Sequence, residues 1–421
     1  MDRIRIVGGA RLSGTVQVSG AKNAALPVLI SSLLNDQECK FERVPNLQDI
    51  KTTLALLEHM GAKVQADPAH NRVSIDAGSV NTQEAPYDLV RKMRASVVVL
   101  GPLLARFGYA KVSLPGGCAI GARPIDLHLK GLERLGAEIE LDQGYVIAKA
   151  KNKRLVGNRV RFEFPSVGAT ENVMMAAALA RGESVLENCA REPEIVDLAD
   201  ALNAMGAEIS GAGTETITIQ GKDSLHSAQH TIMADRIEAG TYLAASLATR
   251  GDVTVLGLDP NHLEAVLVKF EAAGAQVERG DQKIRLKMDQ RSIAQDIKTL
   301  PFPGFPTDMQ AQWLVAMIGA QGTSVVTETI FENRFMHVPE LCRLGADITI
   351  RGNTAVVKGV DVLRGAPLMA TDLRASASLV IGGLIAQGET CVSRIYHLDR
   401  GYEGMESKLK ALGAQIERVP G

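Results

Sequence analysis

The 421-residue chain is 46% hydrophobic and carries 46 Lys and Arg against 48 Asp and Glu, a formal net charge of -2. That length exceeds one ordinary core and suits two or more domains, and the balanced charge argues against a nucleic-acid backbone as partner. The start, MDRIRIVGGARLSGTVQ, has no apolar signal-like region, and the best apolar run, Ser96 to Ala105, is broken by Gly101 and Pro102; neither export nor membrane insertion is expected, and a cytoplasmic location is.

Taken in order, the chain opens with two strand-like pieces, Ile4 to Val7 and Thr15 to Val18, with no helix between them. One phrase then recurs six times: LEHMGAKV at Leu57, LERLGAEI at Leu132, LNAMGAEI at Leu202, FEAAGAQV at Phe270, LCRLGADI at Leu341 and LKALGAQI at Leu409. Its glycines fall at 61, 136, 206, 274, 345 and 413, spaced by 75, 70, 68, 71 and 68 residues. Each phrase predicts the last turn of an amphipathic helix, a glycine just past its end, and a strand of alternating pattern. A second strand follows, as in Arg72 to Asp76 and Tyr145 to Ala148.

Ahead of each phrase lies a helix of another kind: AKNAALPVLISSLL, RASVVVLGPLLARF, GATENVMMAAALAR, RIEAGTYLAASLAT, DMQAQWLVAMIGAQ and LRASASLVIGGLIAQ. Small and apolar residues surround these helices on nearly every side, the pattern of buried helices. The repeat is therefore strand, buried helix, strand, amphipathic helix and two strands, an α/β unit of about 70 residues. Six such units hide their apolar helices if sheets lie outside and helices inside. Near-regular spacing predicts three repeats per domain, with residues 21–230 forming the first and residues 1–20 plus 231–421 the second. The opening strands then complete a sheet of the second domain, and the chain crosses near Gly20 and near His230. Two crossings predict a hinge, and a cleft between domains is a usual substrate site.

The five cysteines, at 39, 118, 189, 342 and 391, show neither metal-ligand spacing nor a disulfide framework, which fits a reducing compartment. Cys39, Cys189, Cys342 and Cys391 lie in periodic apolar surroundings and are expected in the core. Cys118 stands apart in LPGGCAIGARPIDLH, Leu114 to His128, among Gly116, Gly117 and Gly121 and five residues before Arg123. A partly exposed thiol near a cation works as an acid or nucleophile; a surface turn with an incidental cysteine is the plain alternative.

Polar residues also gather at the starts of the buried helices. Lys22 and Asn23 open the first, Arg94 the second, and Ser166, Val167, Gly168, Ala169 and Thr170 the third, where free N–H groups suit an anion or merely a cap. In the second half, PGFPTDMQAQ places Asp308 at a helix start, TDLRAS places Asp372 and Arg374 at another, and ENRF and YHLDRGY carry Arg334 and Arg400. One thiol, one lysine, several arginines and a carboxylate at comparable points of the repeats suit a small polyanionic substrate.

The phrases LPGGCAIGARPIDLH, VSGAKNAALP, KMRASVVVLGPLLARFG, PSVGATENVM, PGFPTDMQAQ, FENRFMHVPEL and IYHLDRGYEGMESKLKALGA together resemble the UDP-N-acetylglucosamine 1-carboxyvinyltransferase family of enolpyruvyl transferases, over essentially the whole chain. The resemblance implies a two-domain inside-out α/β barrel. It also implies transfer of the enolpyruvyl group of phosphoenolpyruvate to the 3-hydroxyl of UDP-N-acetylglucosamine, with release of phosphate. This step opens peptidoglycan synthesis and proceeds by addition and elimination. No metal or organic cofactor is implied; the partners are these two small molecules, with no nucleic acid and no membrane.

By motif match, Cys118 is the acid, the site of a phosphoenolpyruvate adduct and the target of fosfomycin, and Asp308 is the base or the group that orients the hydroxyl. Lys22, Arg123 and Arg400 match residues around the phosphate, Arg334 and Arg374 those around the carboxylate, with Asn23 between the two substrates. Arg123, Pro124, Ile125, Asp126 and Leu127 match the uridine end, with Asn23, Arg94, Ile330 and the Ser166, Val167 and Gly168 helix start nearby. Asp372 is expected to support Arg374. Ala119 stands where threonine is frequent, and Phe164-Pro165 precede Ser166 where other members have a lysine and a small residue, which puts side-chain contact there in doubt. The nearest rival, the branch acting on shikimate 3-phosphate, is expected to carry a GDKS-like motif where this chain reads GAKN; an inactive paralogue is the other alternative.

Overall fold

The structure, a computed structural model, describes residues 2–91, 93–114 and 125–421. All six phrase-ending glycines lie at positive φ, between +91° and +99°, where a side chain would be strained. They close the helices Gln48–His59, Asp126–Arg134, Pro193–Ala204, Glu264–Ala272, Val338–Arg343 and Met405–Ala411. In the first and in the last four repeats, the next alanine N–H reaches back five residues. Ala62 bonds Leu57 O, Ala207 bonds Leu202 O, Ala275 bonds Phe270 O and Ala414 bonds Leu409 O, each at 3.0 Å, and Ala346 bonds Leu341 O at 3.3 Å. This bond stops the helix and aims the chain into the following strand.

Among the described residues the strands form six four-stranded sheets of one design: one edge strand runs parallel to its neighbour, and two further strands are added antiparallel. In the sheet of the second repeat, Glu84–Ala85 pairs in parallel with Tyr109–Ser113, which pairs with Tyr145–Ala150 and that with Ala137–Asp142. Alternating burial along Tyr145–Ala150 turns Val146, Ala148 and Ala150 inward, so each sheet covers a core on one face.

The helices expected to be buried are buried along almost their whole length. The fold is the inside-out α/β arrangement, with apolar helices interior and sheets exterior. One compact unit comprises the described residues between Gly20 and Met233, and the other those up to Ser19 together with Ala234–Gly421. In the second unit the helices Arg236–Thr249, Gln310–Ile318 and Leu373–Ile385 pack on one another; in the first, Leu100–Phe107 packs on Val167–Ala178 and on the turn Ser32–Leu34.

A buried helix end leaves carbonyls without intrahelical partners, and an arginine from outside the helix serves them in several repeats. Arg106 donates to Leu33 O, Arg154 to Leu179 O, and Arg291 to Gly319 O and Ala320 O, at 2.8–3.2 Å.

Three expectations are corrected. RASVVVLGPLLARF is not one α-helix: Arg94–Val99 is a 3-10 turn and only Leu100–Phe107 is α-helical, because Pro102 has no N–H to offer the Val98 carbonyl. The opening strands complete two sheets rather than one. Arg3–Val7 lies between Glu389–Ser393 and Gln415–Val419, whereas Ser13–Gln17 runs parallel to Asp252–Leu256. Lastly, Cys39 and Cys189 are buried, but Cys342 is exposed and Cys391 half-buried. Leu341 and Leu344 take the inward face of their helix, which turns the intervening Cys342 outward, and Cys391 falls on the outer register of its strand.

Candidate functional site

In the second unit, three of the residues singled out in the sequence converge. Asp308 lies in the 3-10 turn Thr307–Met309 that leads into Gln310–Ile318. Its carboxylate does not cap that helix. Arg334 Nη2 donates to Asp308 Oδ1 at 2.8 Å, and Arg374 Nε and Nη2 donate to Oδ2 at 3.0 and 2.9 Å. The arginine side chains are 5% and 4% exposed and that of Asp308 25%, so this is one carboxylate shared by two desolvated cations. Burial works against the Arg374 charge, but the Asp308 carboxylate, with Tyr402 and Asp235, outweighs it and the net pKa shift is upward. Arg374 Nη1 is buried and meets no acceptor among the described residues.

The backbone explains how these side chains are held. Asp372 caps Leu373–Ile385, its Oδ1 accepting from the N–H groups of Arg374 and Ala375 at 3.0 Å each; the support expected for Arg374 therefore acts through its main chain. Asp308 is preceded by a loop pinned by Phe305, whose ring stands edge-on to buried Trp313 with centroids 5.7 Å apart. Arg400 ends the turn Ile395–Arg400, which packs on Leu373–Ile385. A Cβ on Gly401 would stand 2.6 Å from a Leu373 methyl, so glycine there permits the approach.

Several neighbours had no local signature in the sequence. Arg374 lies over the Tyr402 ring, 5.3 Å from its centroid; the Tyr402 hydroxyl meets Thr241 Oγ1 at 2.9 Å and accepts from Gln312 Nε2 at 3.1 Å. His337, fully buried beside Arg334 and Asp372, has its pKa pushed down to about 4, chiefly by burial, with Asp372 opposing and Arg334 reinforcing. His397 is likewise lowered, by burial and then by Arg394 and Arg400.

In the first unit, Lys22 and Asn23 begin the helix Lys22–Ser31, and Lys22 Nζ donates to Asp49 Oδ2 at 3.2 Å, with side chains 12% and 4% exposed. Arg94 begins the turn Arg94–Val99. Ser166 caps Val167–Ala178, its hydroxyl accepting from Ala169 N at 3.3 Å. A Cβ on Gly168 would come 3.1 Å from the His128 ring, so the glycine lets this helix start lie against His128, whose Nδ1 is 3.0 Å from Asn172 Nδ2. Asp126 is exposed in the first turn of Asp126–Arg134, Leu127 is half-buried and Ile125 lies in the core. Phe164 is exposed just ahead of the capped helix. Ile330 is half-buried in the second unit. Cys118, Arg123 and Pro124 lie outside the described residues. Among those that are described, no group of three or more His, Cys, Asp or Glu is placed to hold a metal ion, and no helix is long and apolar enough to cross a membrane.

The profile of the family described as EPSP synthase (3-phosphoshikimate 1-carboxyvinyltransferase) matches residues 6–409. Proteins named UDP-N-acetylglucosamine 1-carboxyvinyltransferase from Trichlorobacter lovleyi and Geobacter metallireducens are each 58% identical over 419 residues, covering 100% of this chain and 99% and 100% of theirs. Among solved structures, the enolpyruvyl transferase NikO from Streptomyces tendae aligns with a TM-score of 0.90 at 25% identity, over 100% of this chain and 99% of its own. EPSP synthase from Acinetobacter baumannii, at 18% identity and a TM-score of 0.76 over the whole of both chains, shares the fold. The chain belongs to the EPSP synthase family of carboxyvinyl transferases and, within it, to the UDP-N-acetylglucosamine 1-carboxyvinyltransferases.

Proposed function

We propose that this protein transfers the enolpyruvyl group of phosphoenolpyruvate to the 3-hydroxyl of UDP-N-acetylglucosamine and releases phosphate, in the cytoplasm, as the step that commits the sugar nucleotide to peptidoglycan. The observation that carries the reading is the Asp308, Arg334 and Arg374 cluster, in which two buried arginines share one carboxylate and Arg374 Nη1 meets no acceptor among the described residues. It occurs in a chain 58% identical over its full length to proteins named for that transfer.

In the addition step the sugar oxygen bonds to C2 of phosphoenolpyruvate as Asp308 takes the hydroxyl proton, and the Cys118 thiol delivers a proton to C3. C2 becomes tetrahedral. Loss of a C3 proton then re-forms the double bond and expels phosphate with the electrons of the C2–O bond. Lys22, Arg123 and Arg400 neutralise the phosphate, while Arg334 and Arg374 hold the carboxylate. Asn23, Arg94, Pro124, Ile125, Asp126, Leu127, Ile330 and the Ser166, Val167 and Gly168 helix start bind the sugar nucleotide.

The Asp308 oxygens are engaged by guanidinium donors, and a substrate carboxylate has the charge and shape to compete for the same donors. Its arrival frees Asp308 to face the hydroxyl, so that phosphoenolpyruvate binding prepares the base.

Phosphate release from phosphoenolpyruvate, measured with UDP-N-acetylglucosamine, with shikimate 3-phosphate and with neither, tests the reading. Release only with UDP-N-acetylglucosamine, with vinyl protons appearing on the sugar nucleotide by NMR, is expected; release only with shikimate 3-phosphate, or with neither acceptor, overturns it.

A further inference from the structure

Glu328 follows the strand Thr323–Thr327 and is 2% exposed. Four donors converge on its carboxylate. Oε1 accepts from Thr299 Oγ1 at 2.8 Å, Ile330 N at 2.7 Å and Phe331 N at 3.2 Å, and Oε2 accepts from Thr307 Oγ1 at 2.8 Å. Three of these bonds share Oε1 and one falls on Oε2, so both oxygens are engaged and the burial of the group is compensated by hydrogen bonds.

The donors come from three separate segments. Thr307 immediately precedes Asp308. Ile330 and Phe331 open the loop that runs on to Arg334, and the Phe331 ring lies 5.1 Å from the Arg334 guanidinium. Thr299 is knitted to the same loop, its Oγ1 accepting from Thr329 N at 2.9 Å and its N–H donating to Thr327 O at 2.9 Å. One buried side chain thus joins the turn presenting the carboxylate to the loop presenting its arginine partner.

We propose that Glu328 is a positioning residue for the transfer: through Thr307 Oγ1 it sets the turn that aims Asp308, and through the Ile330 and Phe331 N–H groups it sets the loop against the sugar nucleotide. The inference rests on the reading of Asp308 and Ile330 given above. Misplacing a reacting group by about 1 Å costs on the order of 100-fold in rate, which sets the scale of the effect. The two oxygens have separable duties. Thr307→Val removes only the tie to Asp308, whereas Glu328→Ala removes all four. In Glu328→Gln the amide oxygen keeps the backbone N–H groups, and the Thr307 hydroxyl can turn to accept from the amide nitrogen.

The test uses the full-length protein and steady-state kinetics of phosphate release. Thr307→Val is expected to lower kcat about 10-fold or more with little change in KM for UDP-N-acetylglucosamine, on the scale of that misplacement. Glu328→Ala should lower kcat and raise that KM, and Glu328→Gln should restore most of both. The decisive measurement is the double variant Thr307→Val with Asp308→Asn, whose kcat should equal that of Asp308→Asn alone, because a tie that acts only by aiming the carboxylate has nothing left to aim. Multiplicative losses in the double variant, or wild-type kcat in Thr307→Val, overturn the proposal, and Thr307→Val keeps the test open even if Glu328→Ala does not fold. If the wild type turns over a different acceptor instead, the functional reading fails while the coupling to Asp308 is still read with that acceptor.

Discussion

Removal of the Asp308 charge tests stability and chemistry together. In Asp308→Ala, two guanidinium groups that are 5% and 4% exposed lose the carboxylate they share. Breaking a buried ion pair by deleting one partner costs about 3–5 kcal/mol. Because the Asp308 side chain is 25% exposed, water enters the gap, and the lower end of that range, about 3 kcal/mol, is the better figure. For a unit of this size each kcal/mol moves Tm by about 2–4 °C, so the variant should unfold roughly 6–12 °C below the wild type. Phosphoenolpyruvate should then raise the Tm of Asp308→Ala more than that of the wild type, since its carboxylate replaces the missing one instead of competing with it. Turnover should fall about 10²–10⁴-fold, the usual worth of a general base. Differential scanning fluorimetry across a phosphoenolpyruvate titration, beside phosphate-release kinetics, reads all three. An unchanged Tm, or a smaller ligand shift in the variant than in the wild type, would refute the picture of Asp308 as a tenant of the carboxylate site.

Arg374→Lys keeps a charge but cannot reproduce two donors on one oxygen with a third left over, so KM for phosphoenolpyruvate should rise at least about 10-fold in steady-state assays. Cys118→Ser should lose most turnover because a hydroxyl is a poor acid at neutral pH, whereas Cys118→Asp should retain some and resist alkylation by fosfomycin; normal turnover by the serine variant would remove the assignment. His337 is held neutral in the fold, with a pKa near 4 against about 6.5 in the unfolded chain. Its contribution to stability is therefore complete above pH 6.5 and is lost progressively as the pH falls toward 4. His337→Leu should flatten the acid side of the stability profile measured by urea unfolding, and an identical slope in both proteins would exclude the histidine as its cause.

The architecture was legible in the sequence because its determinants are local and periodic. A glycine after an apolar helix turn specifies a left-handed closing residue, and all six closing residues adopt that conformation. A helix apolar on every face has nowhere to go but the interior, and strand alternation states which face is covered. The motifs around Asp308, Arg334 and Arg374 singled out all three residues, and the structure brings their side chains together. Their mutual arrangement was not legible, since Asp308 meets one partner 26 residues away and the other 66, and no periodicity records which charge pairs with which.

The same limit explains the rest of what was missed. Asp49 answers Lys22 across 27 residues, and Glu328 gathers donors from Thr299 and Thr307. Arg3–Val7 finds its sheet beside strands at the far end of the chain. By itself the sequence determined the repeat, the kind and order of its elements and the apolar face of most of them, because those follow from backbone dihedrals and the burial of apolar area residue by residue; it missed the 3-10 turn Arg94–Val99 and the outward turn of Cys342. Only the tertiary structure decided which buried polar groups satisfy one another, because a desolvated carboxylate or guanidinium takes whichever partner the packed chain brings within about 3 Å, and that proximity is set by the whole fold at once.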